Sequence, residues 1–135
     1  MNASTYVSEV KIMGVRILIL LALSSTANAS DTLECLSKIA YAESRGTAVD
    51  GVVAVMHAAL RHSKMIKRHV CLIPAQQKSL PLNLREVYSV LAKGVLGGSI
   101  PDLSNGADSW NNQLPKRGKI TRRIGGNYFS ITMSK

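Results

Sequence analysis

A glutamate interrupts the apolar stripe of a predicted helix. In DTLECLSKIAYAESRG, residues 31–46, Leu36 and Ile39 share one helix face, and the next turn of that face carries Glu43. An acid placed there would be partly desolvated, which favours the protonated form of a carboxyl group. Glycosidic cleavage needs such an acid to protonate the departing oxygen. Glu43 is therefore a candidate general acid; the alternative is a structural partner of Arg45 or another arginine.

A second candidate acid lies in the segment GADSW. Most of the other carboxylates suit helix caps, first turns or simple turns, but Asp108 sits beside aromatic and amide residues. It could serve as the second carboxylate of a glycosidase or as a sugar ligand. The alternative is a turn residue that bonds its own backbone.

Aromatic and amide side chains near the C-terminus are typical of a carbohydrate site. Aromatic faces stack on sugar C–H groups, while amides and hydroxyls bond sugar hydroxyls, although the only tryptophan could equally belong to the core. The predicted binding residues, beside Asp108, are Ser109, Trp110, Asn111, Asn127 and Tyr128. A basic run follows and suits an anionic polymer or a solvated face: Lys116, Arg117, Lys119, Arg122 and Arg123.

Three predicted helices precede this segment and must position it. The first runs from about residue 31, capped by Asp31 or Thr32, and the second covers about 50–63, capped by Asp50. A loop over 64–82 then leads to a third helix over 83–94.

The third helix carries a capping-box pattern, Asn83 with Glu86, and Val87, Val90 and Leu91 are expected to face inward. NYFSI, residues 127–131, has β propensity. The predicted fold class is mainly α (α+β), with a small irregular or β-hairpin lobe near the C-terminus.

The N-terminus has the pattern of a secretory signal peptide. Residues 1–29 combine Lys11 and Arg16, the short apolar run ILILLAL and the small-x-small ending Ala27-Asn28-Ala29. An uncleaved anchor or an N-terminal helix are the alternatives. Cleavage would leave residues 30–135 as one periplasmic or secreted domain. The full chain has a net charge of +9, and removal of Lys11, Arg16 and Glu9 leaves +8, so the basic exported domain would meet peptidoglycan rather than nucleic acid.

Two cysteines, Cys35 and Cys71, lie in the predicted mature domain. In an oxidising compartment such a pair is most simply one disulfide. A nucleophilic thiol is an alternative. A metal site shared with His57, His62 and His69 is another, although their spacing does not fit zinc. No metal and no cofactor are predicted.

Several segments in the same order resemble the SleB-like cell-wall hydrolases of the spore-cortex-lytic type. These are IAYAESRG followed by DGVVAVMHAALRH, then GADSW and ITRRIGGNYFS, and Cys71 also has counterparts in that family. The resemblance covers roughly residues 35–131. It implies a lysozyme-like, mostly helical domain that cuts peptidoglycan glycan strands, with Glu43 as the catalytic glutamate. Two family features are missing: a histidine in the region of GADSW, and a Gln-Phe-Ser-Trp segment after the cysteine.

The number of acids bears on the reaction. A hydrolase of this kind needs a second carboxylate, and only Asp108 is available, whereas a lytic transglycosylase can use one acid twice. The favoured prediction is cleavage of the MurNAc–GlcNAc bond to 1,6-anhydro products by a monomer. The alternatives are a hydrolytic muramidase or glucosaminidase, a non-catalytic exported peptidoglycan-binding protein and, without export, a nucleic-acid-binding protein.

Overall fold

The computed structural model describes the backbone of residues 5–12, 15–44 and 48–132, and the side chains of residues 29–44 and 48–132. The chain divides into two compact units, Met1–Asp31 and Thr32–Lys135. In the first unit, β1 (Thr5–Ile12) pairs antiparallel with β2 (Val15–Ala22). Both strands lie within the predicted signal segment, and its predicted cleavage site after Ala29 falls within the first helix, α1 (Leu23–Ser44).

The second unit combines helices with a small antiparallel sheet. After α1 it contains α2 (Val49–Ile66), a 3₁₀ helix (Val70–Leu72), α3 (Leu82–Leu96), β3 (Ser109–Asn111), β4 (Lys119–Ile124) and β5 (Asn127–Ile131). The strand order is β3–β5–β4, so the predicted strand 127–131 is the central one. The predicted fold class, mainly helical α+β with a small β lobe near the C-terminus, is confirmed.

Helix α2 forms because its apolar residues recur at helical spacing. Val52, Val55, Met56 and Ala59 recur at this spacing and are all buried, and Leu60, which continues the stripe, is half-buried. The predicted cap was wrong: the helix begins at Val49 after Ala48, and Asp50 lies in its first turn. An acid in that position complements the partial positive charge of a helix N-terminus. Likewise α1 begins before Asp31 and Thr32, so neither residue is its cap.

Helix α3 differs most from the prediction. Val87 and Val90 are 50% and 60% exposed, whereas Tyr88, Ala92 and Val95 are buried. The sequence of α3 carries apolar residues on more than one face, so periodicity alone did not select the buried one. The selection comes from packing, because the rings of Tyr88 and Tyr41 meet edge to face with centroids 5.8 Å apart.

The ends of α3 also differ. It begins at Leu82 after Pro81, without a side-chain cap, so the Asn83 capping box does not form. It continues past Gly94 to Leu96. Gly94 has a packing role instead, since a Cβ atom there would lie 2.5 Å from Ile100 Cδ1.

The core joins the helices to the sheet. Phe129 of β5 is fully buried with Leu36 and Ile39 of α1 and Met56 of α2. The disulfide between Cys35 and Cys71 ties α1 to the 3₁₀ helix, with their Cα atoms 5.1 Å apart, which confirms the predicted pairing. Within the described residues, no helix combines the length and the apolar character required to cross a bilayer.

Candidate active site

Glu43 lies at the end of α1, and each of its carboxylate oxygens accepts a hydrogen bond. The main-chain N–H of Gln76 donates to Oε1 at 2.8 Å, and the indole N–H of Trp110 donates to Oε2 at 3.1 Å. The side chain is half-buried. Glu43 is thus held in position by two donors from distant parts of the chain while one side remains open to solvent.

The C-terminal end of α1 is secured by the sheet. The last carbonyl groups of a helix lack partners within the helix. Asn127, which is buried at the start of β5, donates from Nδ2 to the Glu43 carbonyl at 2.8 Å. Asn127 therefore positions the backbone that carries Glu43.

An open cleft of about 180 Å³ lies beside the Glu43 carboxylate. Its lining residues are Glu43, His62, Ile73, Pro74, Ser109 and Trp110. Three of the residues predicted from the sequence, Glu43, Ser109 and Trp110, therefore meet at one site. The other predicted binding residues, Asp108, Asn111, Asn127 and Tyr128, do not line this cleft.

The side chain of Asp108 is buried and hydrogen-bonded within the fold. It is 7% exposed, and its Oδ1 accepts hydrogen bonds from the Ser109 hydroxyl at 3.0 Å and from Thr132, N–H at 2.9 Å and hydroxyl at 2.8 Å. These bonds fasten the start of β3 to the chain that follows β5. Of the remaining predicted binding residues, Asn111 is exposed, and the ring of Tyr128 lies 5.0 Å from the guanidinium of Arg123.

His62 lines the cleft, although it was not among the binding residues predicted from the sequence. On α2 it lies three positions after Ala59 and seven after Val55, so it continues the buried stripe of that helix. The same signal singled out Glu43, a polar residue at the next position of an apolar stripe. Nδ1 of His62 lies 3.0 Å from the Asp108 carbonyl oxygen, which orients the ring in the cleft wall.

A loop centred on Asp102 supports this wall. Its Oδ1 accepts from the N–H and hydroxyl of Ser104 at 2.8 and 2.6 Å, and its Oδ2 accepts from Gly106 N–H at 3.1 Å and Arg61 at 2.8 Å. Arg61 also donates to the Ala107 carbonyl at 2.8 Å. Burial raises the pKa of Asp102, but the hydrogen bonds from Ser104 and Arg61 outweigh it and bring the pKa to about 2.

The basic run lies on the outside of the sheet. All five residues are exposed: Lys116 and Arg117 before β4, and Lys119, Arg122 and Arg123 on it. β4 is an edge strand, and charged side chains on an edge strand discourage pairing with another chain. This explains the charges of Lys119, Arg122 and Arg123 on β4. The contact of the run with an anionic polymer stays a prediction.

The cleft brings together a carboxyl group, an imidazole and an indole, those of Glu43, His62 and Trp110. Within the part of the chain whose side chains are described, no three His, Cys, Asp or Glu residues converge as a metal site would require. Searches against known protein families, curated proteins and solved structures returned no significant match to this chain.

Proposed function

We propose that this protein is a peptidoglycan glycosidase that cleaves the β-1,4 bond between MurNAc and GlcNAc. Glu43 protonates the bridging oxygen, and the C1–O bond of MurNAc then breaks. One observation carries the proposal: a carboxyl group is fixed by Gln76 and Trp110 at the edge of an open cleft. A positioned acid of this kind contributes about 10²- to 10⁴-fold to the rate of such a reaction.

The cleft favours transglycosylation over hydrolysis. Glu43 is the only carboxylate among the described residues that line it, and Oδ1 of Asp108 is already engaged by three donors. Classical hydrolysis requires a second carboxylate close to the first. In a lytic transglycosylase, the same Glu43 carboxylate accepts the proton of the MurNAc C6 hydroxyl as that oxygen attacks C1. The product is a 1,6-anhydro sugar, and no water is consumed.

The remaining features fit an exported wall enzyme. The Cys35–Cys71 disulfide suits an oxidising compartment, and the strongly basic composition of residues 30–135 suits an anionic wall. We propose that residues 1–29 direct export to the periplasm or beyond. The mature domain then acts as a monomer, without a cofactor. The SleB-like motifs and the lysozyme-like fold that they imply belong to this same proposal.

Product analysis tests the reaction. The disulfide-bonded protein is incubated with purified peptidoglycan, and the released fragments are identified by mass spectrometry. We expect anhydro-muropeptides. Fragments with reducing ends would replace transglycosylation by hydrolysis. Binding to the wall without any fragments would contradict an enzymatic role and favour a non-catalytic peptidoglycan-binding protein.

A further inference from the structure

The three histidines of the chain use their ring nitrogens differently. His57 meets the Ile100 carbonyl through Nε2 at 3.0 Å, and His69 accepts the Cys71 N–H through Nδ1 at 3.2 Å. His62 differs from both, because the atom that contacts a carbonyl oxygen, that of Asp108, is its Nδ1. A carbonyl oxygen only accepts, so Nδ1 of His62 carries the proton. In the neutral ring, Nε2 of His62 is then a hydrogen-bond acceptor.

This Nε2 atom is accessible from solvent. Within the described part of the chain it has no hydrogen-bond partner. The one buried side-chain polar atom without a partner there is Ser44 Oγ, so Nε2 of His62 is not enclosed. The ring is partly buried and lines the cleft together with Glu43.

The other polar side-chain groups of the cleft lining are already engaged. Both Glu43 oxygens accept N–H donors, and one of these donors is the indole N–H of Trp110. The Ser109 hydroxyl is bonded to Asp108 and lies 3.0 Å from the Thr132 hydroxyl. Ile73 and Pro74 have apolar side chains. Nε2 of His62 is therefore the one unengaged polar side-chain atom of the described cleft lining.

We propose that His62 is a substrate-binding residue whose Nε2 accepts a hydrogen bond from a hydroxyl or amide N–H of the sugar beside Glu43. This inference deepens the proposed function and rests on it for the identity of the sugar. A donor that enters the cleft must find an acceptor, because an unpaired polar group in a closed complex is costly. The Asp108 carbonyl holds the ring in one tautomer, so the acceptor is ready before the ligand arrives.

Two substitutions separate this role from a structural one. His62→Asn places an amide donor near the Nδ1 position and removes the atom at Nε2. His62→Gln reaches the Nε2 position and supplies an acceptor there. His57→Gln is the control, because His57 bonds Ile100 outside the cleft lining. Each is combined with Glu43→Gln, which prevents turnover of the ligand during the measurement.

The probe is a soluble tetrasaccharide of alternating GlcNAc and MurNAc, and the dissociation constant is measured by calorimetry. We expect His62→Asn to weaken binding about 10-fold, the effect of one lost hydrogen bond, with partial recovery in His62→Gln and no change in His57→Gln. Equal binding by His62→Asn and its parent would overturn the inference. So would the absence of any binding by the parent.

Long-range ¹⁵N NMR of the wild-type protein provides a check that needs no ligand. At a pH where the rings are neutral, we expect the Nδ1–H tautomer for His62 and the Nε2–H tautomer for His57. An Nε2–H tautomer at His62 would contradict the inference. The proposed function can fail separately: a wild-type protein that releases no wall fragments, yet binds the tetrasaccharide through His62, would be a binding protein.

Discussion

Two carboxylate sites, those of Asp102 and Glu43, are built in different ways. Asp102 draws most of its donors from its own loop, Ser104 and Gly106, and adds one side chain, Arg61. Glu43 draws its donors from Gln76, 33 positions away, and Trp110, 67 positions away. The Asp102 loop would keep most of its bonds as a local turn, whereas the surroundings of Glu43 exist only in the complete fold.

The difference separates a structural acid from a candidate catalytic one. The Asp102 carboxylate accepts four hydrogen bonds and does not line the cleft, so it stabilises the loop. Glu43 receives two, and its side chain lines the cleft. A reactive side chain must be held in one position by hydrogen bonds from residues on rigid parts of the fold. The hydrogen bonds from Gln76 and Trp110 hold the Glu43 carboxylate in this way.

The largest expected effect concerns the disulfide that ties α1, which carries Glu43, to the 3₁₀ helix that precedes Gln76. Cys71 lies in the 3₁₀ helix just before Gln76, and its bond to Cys35 closes a separation of 36 residues. Replacing both cysteines by serine should lower the free energy of unfolding by about 4 kcal/mol, because the unfolded chain regains loop entropy. Urea unfolding measures the change. A reductant should destabilise the wild type and leave the double variant unaffected; an unchanged wild-type midpoint would contradict the expectation.

The next effect concerns the Asp102 loop. Asp102→Ala leaves Ser104, Gly106 and Arg61 without their acceptor, and should lower the free energy of unfolding by about 2–3 kcal/mol. Glu86→Ala, at an exposed site on α3, is the matched control and should change stability by less than about 0.5 kcal/mol. Thermal or urea unfolding compares the two. Similar values for both variants would show that the loop bonds do not stabilise the fold.

The same loop predicts a dependence on pH. The folded pKa of Asp102 is depressed to about 2, below the ordinary value of about 3.9. Ionised Asp102 therefore stabilises the fold above about pH 4, and this contribution is lost as the pH falls toward 2. Asp102→Asn should show a shallower decline of stability between pH 4 and pH 2 than the wild type. Parallel declines would contradict the assignment.

The smallest expected effect concerns the position of Glu43. Trp110→Phe keeps a flat aromatic ring and removes the N–H that donates to Glu43 Oε2. Loss of one hydrogen bond to the carboxylate should lower wall-cleaving activity about 10-fold with little change in stability. Initial rates of fragment release, beside thermal unfolding, test this. Activity equal to the wild type would show that Trp110 does not position the acid.

Structural elements were predicted correctly from the sequence where the segment carried a single clear pattern of apolar residues. The stripe of α2, the strand 127–131 and the position of Glu43 on an otherwise apolar helix face all follow from local periodicity, and the cysteine pair followed from its number and context. The choice of buried face on α3 did not, because several faces are apolar and contact with Tyr41 decides between them.

The site was predicted less completely than the helices. Residue type suggested that Asp108 and Asn127 could hold a sugar, but their partners are Thr132, Ser109 and the carbonyl of Glu43. Such partners are distant in the sequence and become visible only in the fold. His62, in contrast, could have been found, because it stands on the buried stripe of α2 as Glu43 stands on that of α1.

The most direct test compares Glu43 with Asp108, the two acids that the sequence marked as candidates for the reaction, in one assay. Glu43→Gln and Asp108→Asn are incubated with purified peptidoglycan beside the wild type. Each is first confirmed as folded by near-UV circular dichroism, because an amide at residue 43 would face an N–H donor. We expect Glu43→Gln to release fragments about 10²- to 10⁴-fold more slowly, and folded Asp108→Asn to stay within about threefold of the wild type. Full activity in Glu43→Gln would contradict the mechanism.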